Sequence, residues 1–129
     1  MLAVDRRPLS RAVLTEGVLI HVIRQKATPQ QMTEMLEVLE NYVKLAVDTE
    51  QGVLAGGGAL HADCETALLE AGSSQKDIWG ADWIPATQEV RYEALINIRP
   101  LDGNRSMELK DEDLRQKVRQ TAVRLLGNQ

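Results

Sequence analysis

Three residues of acid–base type stand at alternate positions in one short segment: His61, Asp63 and Glu65. On a strand, residues two apart point the same way, so the three would line one face. Such a row could bind a divalent metal or supply a base with its orienting carboxylates. On a helix His61 and Glu65 would still meet, four apart, and Asp63 would turn away. Cys64 sits between the acids and invites a nucleophile reading, but acidic neighbours raise a thiol pKa and suppress the thiolate. It is expected to be a small buried apolar residue.

A second group follows: Asn97, Arg99, Gly103, Asn104, Arg105 and Ser106. Two arginines with amide, hydroxyl and turn N–H donors make a clamp for a phosphate or carboxylate. The plainer account is that Arg99 and Arg105 pair internally with Asp63, Glu65 or Asp82. Trp79 and Trp83 bracket Gly80, Ala81 and Asp82, and on a strand both rings would lie on one face. Their default role is to anchor the core or a subunit contact, with a stacking platform for a base or sugar as the sharper one. His21 interrupts an apolar run and reads as a hydrogen-bonded core or edge histidine.

These side chains need elements to hold them. Val18 to Ile23 is a branched apolar run that suits a strand covered on both faces. Thr28, Pro29 and Gln31 form a capping box with proline in the first turn, and Met32, Met35, Leu36, Leu39, Tyr42 and Val43 recur at helical spacing, so a helix is expected over about 29–42. The alternation after Val43, a polar stretch from Thr49 to Gly52, and renewed apolar character at Val53 and Leu54 read as a hairpin. Gly56, Gly57 and Gly58 suggest a bend or a close approach, but no Lys-Ser or Lys-Thr pair follows, which excludes a P-loop.

Leu60 to Gly72 supports two readings. A helix would place Leu60, Cys64, Ala67 and Leu68 on one face with Gly72 as its stop. A bent strand is favoured, because Gly72, Ser73 and Ser74 lie between two apolar stretches as in a hairpin. Val90, Tyr92, Ala94, Ile96 and Ile98 alternate with polar residues and predict a strand ending at Pro100. The last segment predicts a helix over about 111–126, its charges pairing at Asp111 with Arg115 and Asp113 with Lys117. The fold class is therefore α+β, one domain with a mainly antiparallel sheet and two main helices.

Composition agrees. A chain of 129 residues has the size of one domain, and with no Phe its core must come from aliphatic residues, Met and Ala. Residues 1–16 read as a flexible, polar arm carrying Arg6, Arg7 and Arg11, ahead of a single domain over 17–127. A net charge of −4 disfavours nucleic acid as a partner, even with a basic helix at Arg115, Lys117, Arg119 and Arg124. One cysteine cannot form an intrachain disulfide, and no apolar stretch has the length of a membrane span, so a cytoplasmic protein is expected.

Three strings carry a family resemblance: Gly-Gly-Ala-Leu-His-Ala-Asp-Cys-Glu from Gly57, Trp-Gly-Ala-Asp-Trp from Trp79, and Ile-Asn-Ile-Arg-Pro-Leu-Asp-Gly-Asn-Arg-Ser-Met from Ile96. From about Val18 to Gly127 the chain resembles a family of short bacterial and archaeal proteins known as a domain of unknown function. The resemblance implies a self-contained prokaryotic domain and brings no activity or cofactor. Two functions are left in competition. One is a binding or catalytic domain for a small anionic ligand, with the clamp on Asn97, Arg99, Asn104, Arg105 and Ser106 and the acid–base or metal face on His61, Asp63 and Glu65. The other is a non-catalytic interaction or homo-oligomeric module in which the same residues lock the sheet.

Overall fold

Val22, Ile23, Leu45, Ala46, Leu54 and Ala55 are all sealed from solvent, and they mark the centre of a six-stranded antiparallel sheet. The computed structural model describes residues 10–15 and 17–128. The strands are β1 (Ser10–Thr15), β2 (Val18–Ile23), β3 (Val43–Asp48), β4 (Val53–Gly56), β5 (Ile78–Ile84) and β6 (Glu89–Arg91), in the spatial order β1-β2-β4-β3-β5-β6. Three helices, α1 (Pro29–Met35), α2 (His61–Glu70) and α3 (Glu112–Leu126), complete an α+β domain.

The period-two alternation of the strands sends side chains to two cores. Ile23, Leu45, Val47, Leu54, Trp79, Ala81 and Trp83 meet Met32 and Met35 of α1 and Val118, Ala122, Leu125 and Leu126 of α3. Ile20, Val22, Ala46, Val53, Ala55 and Ile78 meet Cys64, Ala67 and Leu68 of α2 on the other face. Burying a side chain of this kind is worth about 1.5–3 kcal/mol before entropy is counted.

The expected hairpin forms as β3 and β4. Asp48 shapes its turn by accepting from the N–H of Glu50 and Gln51, both at 2.9 Å, and Gly52 takes a left-handed φ of 67°. The C-terminal helix also forms where predicted, with Asp111 capping it through Leu114 N–H. Arg115 does not join Asp111 on the helix surface; it bonds Glu108 and the Leu109 carbonyl instead.

Four expectations are corrected. The predicted helix over 29–42 stops at Met35, after which single turns lead to Glu40 in the left-handed region at φ 64°. Ser10–Thr15, expected to belong to a loose arm, pairs along its length with β2 as an edge strand, while residues 1–9 and 16 lie outside the described residues. The segment after Leu60 is a helix and not a bent strand. Its end explains the Gly-Ser-Ser stretch: Gly72 at φ 104° lets Ser73 N–H reach Leu68 O and its own N–H reach Leu69 O, the two bonds of a Schellman stop. The strand predicted over 90–98 ends at Arg91, and Leu95–Asn97 and Pro100–Asp102 form short 3₁₀ turns. Its alternation fails in space, since Tyr92 packs on the α3 side and Ile96 on the α2 side.

Candidate functional site

The predicted row of His61, Asp63 and Glu65 is dispersed by α2. His61 points to the sheet, Asp63 lines a separate groove with Val13, Leu14 and Thr66, and Glu65 lies within electrostatic reach of Arg99. Among the described residues no three His, Cys, Asp or Glu side chains are grouped to hold a metal ion. Cys64 is fully buried and its thiol is pushed up to about 12, chiefly by burial and only secondarily by Asp63.

The predicted clamp is held from within. The strand-like polypeptide beside β5 is missing over Ile78 to Ala81, because β6 pairs only with Asp82 to Ile84. Side chains take its place. Asn97 accepts from Gly80 N–H at 2.7 Å and donates to Gly80 O at 3.0 Å, as a neighbouring strand would. Gly80 permits this close packing; a Cβ there would overlap the Cβ of Ala94. Arg99 donates to Gln75 O at 2.8 Å and to Ile78 O, and its guanidinium covers the Trp79 ring at 3.6 Å. Asn104 spends both amide atoms on backbone, donating to Asn97 O, Ser106 O and Glu108 O and accepting from Lys110 N–H. Ser106 donates to Glu108 O at 3.0 Å, while Arg105 is exposed. Trp79 and Trp83 do share one strand face, but both are buried in the core.

One predicted residue retains unused chemistry. The Gly56–Gly58 turn passes close to Leu19 and Met35, with Gly57 at φ 105°, and Lys44 holds the Ala59 carbonyl at 3.0 Å. Together they aim the start of α2 at β5. His61 Nε2 then lies 2.8 Å from Asp82 Oδ1 and 3.1 Å from Ala81 O. A carbonyl and a carboxylate only accept, so Nε2 carries the ring proton and Nδ1 of the neutral ring holds the lone pair. The second oxygen of Asp82 lies 3.7 Å from Arg91 Nε, and the Arg91 guanidinium stands 4.9 Å from the Tyr42 ring centre. Both His61 and Asp82 side chains are 12% exposed.

His61 also lines a groove of about 250 Å³ between the start of α2 and the chain after β6. Leu60 and Ala62 from the start of α2, Ala94, Leu95, Ile96 and Met107 from the chain after β6, and the charged Lys44 and Glu93 line it with His61. Glu93 also lines a wider, polar cleft of about 670 Å³ that includes Asp82, Arg91 and Tyr42. His61 and Arg99 line different grooves.

Asp82 meets His61 rather than the expected Arg99 or Arg105, and Lys44 and Glu93 join the groove although neither is among the expected site residues. The available signal for Asp82 was a charged residue inside the short string Trp-Gly-Ala-Asp-Trp, where a strand needs a partner for every buried charge. Lys44 and Glu93 carried none, since each looks like the solvent-facing member of an alternating strand.

A family model described as "Protein of unknown function (DUF5674)" matches residues 21–125. No curated protein and no solved structure matches the chain.

Proposed function

The chain belongs to the DUF5674 family of proteins of unknown function, and we propose on geometric grounds that it binds a small ligand in the His61 groove and exchanges a proton with it. The observation that carries this reading is the double acceptor at His61 Nε2, which fixes the tautomer of the neutral ring and leaves Nδ1 as an unpartnered acceptor on a residue that lines an apolar groove. General acid–base groups work from such positions, with the carboxylate fixing the ring and the opposite nitrogen meeting the substrate. The arginine and asparagine cluster at the β5 edge is a scaffold in this proposal. A cytoplasmic setting suits the lone, buried thiol.

Imidazole-detected NMR tests it. In the apo protein the neutral ring should show its proton on Nε2. Small amphiphilic probes should move the Nδ1 resonance together with the methyl groups of Leu60, Leu95 and Met107, and His61→Gln should abolish the effect. A proton on Nδ1, or no probe that moves the ring, overturns the reading.

Exposure favours a second reading. Leu60, Leu95 and Met107 at the same groove are 57%, 71% and 42% exposed, an apolar rim that another protein, a second copy included, would cover. Sedimentation across a range of concentrations separates the two. A monomer that binds probes supports the ligand site, and a dimer that shields these methyl groups supports the interface.

A further inference from the structure

The groove has charge of both signs in its lining, and no ion pair among the described residues consumes it. Lys44 donates one hydrogen bond, to Ala59 O, and its ammonium has two donors left. Glu93 lines the same groove, and neither residue forms an ion pair among the described residues. The neighbouring charges are already matched: Asp82 meets His61 and Arg91, and Glu108 meets Lys110 and Arg115. Apart from these two and His61, the groove is lined by apolar residues alone.

From this juxtaposition we infer that the ligand is a small zwitterion with an apolar body, of the amino-acid class. Its carboxylate meets Lys44, its ammonium meets Glu93, and its apolar side chain lies between Leu60 and the Leu95, Ile96 and Met107 wall. The volume agrees, because grooves for drug-sized molecules run from roughly 300 to 1,000 Å³ and this one is smaller. His61 lines the same groove and its Nδ1 has no hydrogen-bond partner among the described residues, so it can accept a hydrogen bond from the ligand's ammonium. The inference rests on the proposed ligand site and specifies its chemistry.

Four probes of one shape test it: L-leucine, 4-methylpentanoate without the amine, 3-methylbutylamine without the carboxylate, and 3-methyl-1-butanol without either charge. Binding is read from the His61 ring and the Leu60, Leu95 and Met107 methyl resonances. L-leucine should bind about two- to fivefold more tightly than either singly charged probe, the size expected for partly exposed ion pairs. Glu93→Gln should erase its advantage over the acid, and Lys44→Gln its advantage over the amine, with the other comparison intact in each variant. If the alcohol or a singly charged probe moves the groove as well as L-leucine does, the zwitterion is wrong and the ligand site stands. If no probe moves the His61 ring, the site falls and the zwitterion with it.

Discussion

Two adjacent regions draw on the same kinds of side chain and use them oppositely. Around Gly80, the amides of Asn97 and Asn104 and the guanidinium of Arg99 are turned inward onto backbone groups. Of the polar atoms of these three side chains, Arg99 Nε is buried without a hydrogen bond, 4.0 Å from Asp102 Oδ2. In the groove beside them, His61 has one nitrogen committed and one uncommitted, and Lys44 and Glu93 retain unspent charge. Residue type alone gave both regions equal standing. What separates scaffold from site is the hydrogen-bonding capacity left after the fold has taken its share.

That contrast fails if the scaffold residues prove dispensable to folding. Asn97→Ala strips partners from Gly80 N–H and C=O in a fully buried place, and should cost about 3 kcal/mol or more by urea denaturation. Gly80→Ala, which drives a methyl into Ala94, should be of similar size. Arg99→Met keeps the packing over Trp79 but loses the bonds to Gln75 O and Ile78 O; a loss of about 2 kcal/mol with altered Trp fluorescence is expected. On the other side of the contrast, His61→Gln should cost no more than about 1 kcal/mol, because a glutamine amide can still donate to Asp82, yet it should end ligand binding.

The smallest effect concerns Glu65. Burial raises its carboxyl above the ordinary glutamate value, with the Arg99 charge opposing the rise. A raised carboxyl means that the folded chain holds the proton more tightly than the unfolded one, so Glu65 favours folding at low pH and opposes it as pH climbs through the range above about 4.3. Glu65→Gln should therefore stabilise near pH 7 and be neutral below about pH 4. The gain should stay within a few tenths of a kcal/mol, since the group is partly exposed and screened. Melting curves at the two pH values check the sign.

Much of the frame is written locally. The capping box at Thr28, the Asp48 turn and the Asp111 cap each depend on residues within three positions, so their elements begin where the sequence says. What was misread depends on distant partners. No glycine marks the end of α1, and the left-handed turn falls on Glu40, a residue type that rarely signals one. The alternation at Val90 to Ile98 is real in sequence, but Gly80 on another strand admits the Asn97 side chain and draws the chain away from β5. His61 stood out in the sequence; its carboxylate partner is 21 residues away across a helix–sheet contact, and no spacing rule reaches it. The family match, likewise, fixes kinship over residues 21–125 without supplying a role.

The side-chain closure of β5 also bears on how the protein behaves in a crowd. An exposed strand margin is a template on which other molecules can add, and proteins lose themselves to fibres by that route. Here Asn97 and Arg99 occupy the groups at Gly80 and Ile78 that an incoming strand would need, so no ladder can start there. Conditions that loosen the 93–109 segment without melting the sheet should bring on fibrillar aggregation before they bring on unfolding.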